Sequence, residues 1–547
     1  MATTTEYNLE KIAGHHVEET LGHGALIDAK HASDEEHAQT LWQAIKANKK
    51  AVGWSVLVSM SVVMEGYDTI LIGNFFGYPE FQKKYGHDYG GTAGYQVSAP
   101  WQTGLGMAST VGAIFGGIMN GQLCAKYGYR WVMIIALGFM AAFIFIIFFA
   151  QSLPVLLVGE ILCGFSWGVF ATVGPAYASE VCPTNLRGYL TTFVNLCWAI
   201  GQFIAAGVLE GLINRPDQWS YRIPFALQWI WPVPLMIGCF YMPESPWYLV
   251  RNDRLEQAKH SIKRLSNDKT EEQLAGQLAM LVHTAKIEAE IVSGVSYLDC
   301  FTGIDLRRTE IACITFAGQI LSGSTFAYSP TYFFEQAGMS STQAYKMNVG
   351  STAMAFTGTV LSWWLITYCG RRTLYVWGQG TLFFLQMIIG ILSATTSSKG
   401  SLWGQAALCI IWVLTYSMTV GPIAYAIVAE TSSVRLRALS VCLARTTYQI
   451  INIVSQVLEP YFMNPTAWNA KGKTAFFWGA TALGMFVWSY FRLPEAKGRT
   501  YEEMDLLFQK KVSARKFSST HVDPYAIEIT QSKEALAPAQ EEIKETK

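Results

Sequence analysis

The chain of 547 residues is 51% hydrophobic and only 15% charged, whereas a soluble domain carries about 25% charged residues. Its 40 basic and 40 acidic side chains cancel, which disfavours a nucleic acid as a partner. The 10 cysteines show no CxxC spacing, so neither a disulfide framework nor a metal site is predicted. These proportions are typical of a protein that lies in a lipid bilayer.

The first apolar run contains two acidic residues. Residues 1–48 before it are polar and predict a disordered tail without a cleavable signal peptide. Residues 51–76 are apolar enough to cross a bilayer as one helix, yet Glu65 and Asp68 lie in this run, on one helical face. A carboxylate at that depth costs ~2.5 kcal/mol or more, so it faces a cavity, a partner or a proton path. Two interpretations remain open at this point, a structural ion pair and a proton or substrate site.

Further apolar segments bring the predicted transmembrane helices to twelve, six on each side of a polar stretch. Apolar residues at helical spacing in that stretch predict short amphipathic helices against the bundle. The later spans are predicted near residues 100–122, 131–150, 153–175, 188–213, 223–242, 309–334, 346–368, 373–395, 402–429, 436–462 and 474–492. The predicted organisation is an N-terminal tail (1–48), two six-helix bundles (49–242 and 309–493), a helical linker between them (243–308) and a C-terminal tail (494–547).

The basic residues of the short loops predict the orientation. They concentrate in the loops after the second, fourth, eighth and tenth spans, although Lys83 and Lys84 weaken the contrast. We therefore expect both termini and the linker to be cytoplasmic.

The two halves of the chain repeat each other. Glu180 and Arg187 recur as Glu430 and Arg437, with the same spacing and an offset of 250 positions. Each pair lies at a predicted helix–loop junction, where an ion pair can hold helix ends in one conformation and release them in another. Other motifs that occur in both halves contribute further charged residues to the same predicted latch. The residues of this predicted conformational latch are Glu180, Arg187, Glu430, Arg437, Arg130, Arg371, Arg372, Glu244 and Glu495.

The chain contains a set of short motifs in addition to its apolar spans. They are Gly66-Tyr67-Asp68, Gly370-Arg371-Arg372, Pro243-Glu244-Ser245-Pro246, Pro494-Glu495 through Gly498-Arg499-Thr500, and the repeated Glu/Arg pair. Together these motifs resemble the sugar porter family of the major facilitator superfamily. The resemblance covers roughly residues 50–510. It implies an all-α membrane fold of twelve helices in two six-helix bundles, with a cytoplasmic helical segment between them.

Longer stretches narrow the resemblance. They are residues 65–86, 332–339, 443–453, 464–469 and 473–479. These stretches resemble the fungal maltose permeases within that family. The resemblance implies proton-coupled α-glucoside import at the plasma membrane. It also implies that Glu65, Asp68 and Arg445 take part in proton coupling.

Two positions depart from the family pattern. Proton symporters of the subfamily place a further glutamate in the second span, where this chain has Ala113. Many hexose porters place an arginine in the fourth span, where this chain has Glu160. These departures predict that proton coupling is weakened, rearranged or lost.

A sugar site requires hydrogen-bonding side chains for hydroxyl groups and aromatic rings for the apolar ring faces. Asn195 lies 250 positions before Arg445, and Gln202 lies 250 before Asn452, so these four are expected to face one another. Tyr425 occupies a position where hexose porters carry a tryptophan. The candidate sugar-binding residues are Asn195, Gln202, Gln319, Tyr328, Tyr425 and Asn452.

The sequence thus predicts a secondary active transporter and not an enzyme, with a sugar, protons and the bilayer as partners and no cofactor. A nucleotide-binding motif is lacking, which disfavours transport driven by ATP. Two alternatives remain: a carrier of another oligosaccharide such as lactose or a cellodextrin, coupled or uncoupled, and a sugar sensor that signals without significant transport.

Overall fold

The computed structural model describes most of the chain between residues 45 and 520. The described ranges are 45–46, 48–90, 94–182, 184–267, 270–292, 296–327, 330–336, 338–395, 398–433, 436–465, 467–497 and 501–520. Nearly all of residues 1–48, predicted as a disordered tail, lie outside these ranges, as do residues 521–547.

The described part of the first half is helical apart from one short hairpin and short turns. Its helices are α1 (Lys49–Ser59), α2 (Ser61–Phe75), α3 (Pro79–Tyr85), α4 (Ala99–Tyr127), α5 (Tyr129–Phe148), α6 (Leu153–Val181), α7 (Thr184–Leu212), α8 (Trp219–Leu227) and α9 (Pro232–Tyr241). The hairpin pairs β1 (His87–Asp88) with β2 (Tyr95–Gln96) in antiparallel register. A 3₁₀ turn (Gln228–Ile230) joins α8 to α9.

The polar stretch and the second half are helical as well. The polar stretch forms α10 (Pro246–Arg251), α11 (Leu255–Leu265) and α12 (Glu271–Val292). The second half forms α13 (Asp305–Leu321), α14 (Ser324–Ala327), α15 (Pro330–Gln336), α16 (Ser341–Tyr368), α17 (Arg371–Thr395), α18 (Lys399–Met418), α19 (Val420–Thr431), α20 (Arg437–Met463), α21 (Thr474–Arg492) and α22 (Tyr501–Gln509). Further 3₁₀ turns are Tyr297–Phe301, Lys471–Lys473 and Ala514–Lys516.

Eight helical segments of the described chain are long and apolar enough to cross a membrane. They are Lys49–Phe75, Tyr129–Phe148, Leu153–Val181, Phe193–Leu212, Trp219–Tyr241, Ser341–Tyr368, Arg371–Thr395 and Gly400–Thr431. Each matches a predicted span. Helices α4, α13, α20 and α21 lie at the remaining predicted positions, and the count of twelve spans stays a prediction.

The two halves pack their helices in the same pattern. In the first half α4 packs against α6 and α2 against α7, and in the second half α16 packs against α18 and α13 against α20. The halves meet where α16 contacts α7 and where α20 contacts α4. This pseudo-symmetry is the arrangement that the sequence repeat predicts. We call the side of the bundle with α10–α12 the linker side and the opposite side the far side.

Glycines allow the helices of the first half to touch backbone to backbone. A Cβ atom on Gly116 would lie 2.0 Å from the carbonyl oxygen of Phe165, and one on Gly164 would lie 2.2 Å from that of Ser109. Small residues permit such close packing between membrane helices. Gly112 and Gly116 in the glycine-rich run 112–117 therefore lie at a close helix contact.

Helix α7 offers a matched pair of glycines to test this packing. We expect Gly201→Ala to destabilise the folded protein by ~1–3 kcal/mol, because its Cβ would lie 2.0 Å from the carbonyl oxygen of Val63. Gly207→Ala is the control, since nothing lies within 4 Å of a Cβ at that position. The measurement is the thermal unfolding midpoint of the detergent-extracted protein. Equal midpoints for both variants would contradict the close contact.

Four predicted spans are divided in the structure. The first span, expected as one helix, is divided into α1 and α2, and the span predicted near 223–242 is divided by the 3₁₀ turn Gln228–Ile230. The other two are divided at single residues. The span predicted near 309–334 divides at Gly323, whose φ of +89° and contact with Gln386 exclude a side chain. A Cβ there would lie 1.9 Å from Nε2 of Gln386. The span predicted near 402–429 divides at Thr419, which has φ −123° and ψ −86°. Hydropathy does not report such breaks, because both flanks of each break are apolar.

Candidate functional site

Asp68 lies buried between α2, α6 and the 3₁₀ turn that follows α8. Its carboxylate accepts a hydrogen bond at each oxygen, from Nε2 of Gln228 at 2.7 Å and from Nε1 of Trp167 at 3.3 Å. The side chain is 2% exposed. Two donors therefore hold this carboxylate in place within the first half.

The carboxyl group of Glu160 lies within hydrogen-bonding reach of Asp68. Glu160 is fully buried, and neither of its oxygens accepts a hydrogen bond from an N–H or O–H donor in the described part of the chain. The sequence marked Glu160 only as a departure from a family pattern. A second signal is present in the sequence: Trp167 lies seven residues after Glu160 and therefore on the same face of the helix.

Glu65 and Arg445 interact electrostatically although they belong to different halves. Glu65 is half-buried on α2, and Arg445 lies on α20. Nη1 of Arg445 donates a hydrogen bond to the hydroxyl of Tyr425 at 3.2 Å, and its guanidinium lies 4.8 Å from the ring centre of Tyr448. The three residues predicted for proton coupling are therefore distributed over both halves, with Asp68 one turn from Glu65.

An aromatic cluster surrounds Arg445 in the second half. The ring of Phe316 lies 5.0 Å from Tyr425 and 6.3 Å from Tyr448, edge to face in both cases. Tyr425 is 47% exposed, so part of its ring is free to contact another molecule. Such rings offer the flat apolar surface on which a sugar ring can pack.

The predicted amides have different surroundings. Gln202 is 1% exposed, and neither amide atom has a hydrogen-bond partner among the described residues. Gln319 donates from Nε2 to the carbonyl of Gly421 at 2.6 Å, which joins α13 to α19. Asn195 and Asn452 are half-buried. Tyr328 lies outside the described residues, and the sugar-binding role of all these residues stays a prediction.

Glu244 covers the beginning of α5 on the linker side. Its oxygens accept hydrogen bonds from the backbone N–H groups of Tyr129 at 2.9 Å, Arg130 at 3.1 Å and Ser245 at 3.0 Å. Burial raises the pKa of this carboxyl group, and the three N–H donors oppose that change. Glu180, at the end of α6, accepts a hydrogen bond from the Tyr129 hydroxyl at 3.0 Å.

The second half repeats this arrangement at α17. An oxygen of Glu495 accepts a hydrogen bond from the backbone N–H of Arg371 at 2.9 Å, and Glu430 pairs with the Arg371 side chain at 3.1 Å. Arg372 donates to the carbonyl of Tyr490. In the first half, Arg130 donates in the same way to the carbonyl of Phe240, and Phe240 lies 250 positions before Tyr490.

The partner of Glu180 was not predicted. Nη1 of Arg251 lies 3.0 Å from Oε1 of Glu180, so the ion pair reaches from α6 to the linker helix α10. The side chains of Arg187 and Arg437 lie outside the described residues. Among the residues that the structure describes, no three His, Cys, Asp or Glu side chains come together as a metal site requires.

Comparison with known proteins identifies the family. The family model described as sugar (and other) transporter matches residues 54–508. The chain is 41% identical over 508 residues to maltose permease MAL31 of Saccharomyces cerevisiae, covering 92% of this chain and 83% of that protein. The chain belongs to the sugar transporter family. It is also 39% identical over 516 residues to the general alpha-glucoside permease of the same yeast, covering 93% and 83%.

Solved structures agree with the fold of this sugar transporter family member. The chain matches the inward-open xylose transporter XylE of Escherichia coli with a TM-score of 0.68 at 18% identity, covering 84% of this chain and 99% of that chain. A structure of the proton:xylose symporter XylE with bound 6-bromo-6-deoxy-D-glucose matches with a TM-score of 0.67 at 19% identity, covering 84% and 100%. The major facilitator fold is therefore confirmed.

Hydrogen bonds join the two halves of the transporter on its far side. Nε2 of Gln102 donates to the Tyr332 hydroxyl at 3.3 Å, and Nδ2 of Asn464 donates to a backbone carbonyl near the start of α4 at 3.1 Å. Oγ1 of Thr342 donates to Oδ1 of Asn214 at 3.2 Å. These contacts connect the two halves at the far side.

Proposed function

We propose that this transporter imports an α-glucoside such as maltose together with a proton, by alternating access across the plasma membrane. The relatives named above are maltose and alpha-glucoside permeases. The observation that carries the proposal is the placement of Glu65 and Arg445 in opposite halves, where their charges interact, with the buried Asp68 one helical turn from Glu65.

The proposed architecture has twelve transmembrane helices. Residues 49–242 and 309–493 form the two six-helix bundles, and residues 243–308 form a helical linker that faces the cytoplasm together with tails 1–48 and 494–547. The basic loops support this orientation, since a positive charge favours the cytoplasmic side. The far side then faces outward, and its closed contacts correspond to a state open toward the cytoplasm.

The proposed sugar site lies between the halves. Tyr425 provides an aromatic face, and the unpartnered amide of Gln202 provides a donor and an acceptor for sugar hydroxyls. Asn195 and Asn452 are the further polar candidates. Gln319 supports the site indirectly, because its amide is already engaged with α19.

The proposed latch is on the cytoplasmic side. Glu244 and Glu495 fix the beginnings of α5 and α17, while Glu180 and Glu430 pair with arginines from neighbouring segments. Breaking such pairs in one state and forming them in another needs only a few kcal/mol. The repeat of this arrangement in both halves favours a latch over loop charges that serve only to orient the chain.

The test is uptake of radiolabelled maltose by a host without its own sugar carriers, with proton entry followed in parallel. We expect maltose to accumulate above the external concentration while protons enter. Uptake that is independent of pH and membrane potential would contradict proton coupling. It would favour an uncoupled carrier, which Ala113 supports in the sequence. If maltose does not move, the same assay with lactose and cellodextrins tests the other carriers. If deletion of the protein abolishes sugar signalling and a transport-dead variant restores it, the protein is a sensor.

A further inference from the structure

The carboxyl groups of Asp68 and Glu160 form a buried pair without a cation. No Lys or Arg contacts either group in the described part of the chain. The other titratable groups that act on the pair are Tyr67 and Cys163, which are neutral at pH 7, and Glu65, which is acidic itself. Within the described ranges, no positive group therefore offsets two negative charges at this position.

Two carboxyl groups in contact cannot both be ionised in such surroundings, so one proton stays with the pair. The hydrogen bonds decide which residue holds it. Both oxygens of Asp68 accept N–H donors, from Gln228 and Trp167, and two such bonds stabilise the ionised form. Both oxygens of Glu160 are buried without a hydrogen-bond donor among the described residues, and an unpaired buried carboxylate is costly.

We propose that Glu160 remains protonated and donates its O–H to ionised Asp68, so that the pair has a charge of −1 and takes up the transported proton on Asp68. The O–H bond of Glu160 does not break in this cycle. Water on one side gives a proton to the Asp68 carboxylate, the pair becomes neutral, and Asp68 returns the proton to water on the other side. Glu160 is thus a positioning residue, and this role rests on the proton coupling proposed above.

The pH dependence of sugar uptake tests this proposal. In Glu160→Gln the amide N–H replaces the O–H donor, so we expect the pH midpoint of uptake to stay at its wild-type value. In Glu160→Ala the donor is lost, the Asp68 carboxylate is less stabilised, and we expect the midpoint to move about one pH unit or more toward alkaline pH. Rescue by the amide separates a hydrogen-bonding role from a packing role.

Glu459 provides the matched control. It is also buried, and its Oε2 accepts a hydrogen bond from Nε1 of Trp478 at 2.8 Å, but it lies on α20 in the other half. Glu459→Gln should leave the pH midpoint unchanged. An acid shift in Glu160→Gln would overturn the proposal, because it would mean that a negative charge had been removed beside Asp68. An unmoved midpoint in both Glu160 variants would overturn it as well.

Infrared spectroscopy gives a reading that does not depend on transport. The spectrum of the purified wild-type protein minus that of Glu160→Gln should contain the C=O band of a protonated carboxyl group. A difference spectrum with carboxylate bands instead would overturn the proposal. The infrared measurement decides whether Glu160 is protonated even if Glu160→Ala does not fold. If wild-type uptake shows no pH dependence, the proposed proton coupling fails, while the infrared result still decides the protonation of Glu160.

Discussion

Replacing Asp68 with Asn is expected to end the accumulation of sugar while permitting sugar to equilibrate across the membrane. Asparagine has nearly the shape of aspartic acid and resembles its protonated form. Its Oδ1 can still accept the hydrogen bond from Gln228. A site that is permanently neutral can pass through the conformational cycle, but it no longer binds or releases a proton.

The expected size of the effect follows from the membrane potential. One proton moving through 100 mV supplies ~2.3 kcal/mol, which corresponds to a sugar gradient of about fiftyfold in the ideal case. The Asp68→Asn variant should reduce this ratio to about one, as measured by internal and external maltose at steady state. Counterflow of labelled sugar checks that the variant still moves its substrate.

Asp217→Asn is the control for this change. Asp217 lies in the same half, between α7 and α8, where it pairs with Arg215 at 2.8 Å near the far side. Its replacement removes a carboxylate without touching the buried pair, so accumulation should remain. If Asp68→Asn still concentrates maltose, the transported proton binds elsewhere, and Glu65 becomes the residue to replace next.

The sequence was sufficient to predict the positions of eight long apolar segments, because hydropathy and segment length are local properties. The span predicted at 153–175, for example, corresponds to Leu153–Val181. The break at Gly323 was missed because its cause is a side chain from another helix: Gln386 occupies the space that a Cβ would need. A sequence does not show which distant residue fills such a position.

The candidate site was predicted in part for the same reason. Asp68 was recognisable since a carboxylate within an apolar run is costly wherever the helix packs. Gln228 was not recognisable from the sequence, because it lies in a 3₁₀ turn 160 positions away. Only the packing of the helices brings this turn to Asp68. The sequence marks Glu160 as a carboxylate at a position where many hexose porters have an arginine. The structure places it beside Asp68.

The second large effect is expected from a covalent link across the far side. Thr342 and Asn214 belong to different halves and their side chains touch at 3.2 Å. In the Thr342→Cys/Asn214→Cys variant, a short thiol-specific cross-linker should hold the far side closed. Because alternating access requires this side to open in every cycle, we expect uptake to fall to background. A cleavable cross-linker, once reduced, should restore it.

The control link stays within one half. Lys84 and Gln151 are in contact at 3.2 Å on the far side, and both belong to the first half. Cross-linking of Lys84→Cys/Gln151→Cys should leave uptake intact, since the halves remain free to move against each other. Continued uptake with the Thr342/Asn214 link fully formed would mean that this contact persists in all states. In that case the far-side contacts would be a fixed joint, and the opening would have to lie elsewhere between α7 and α16.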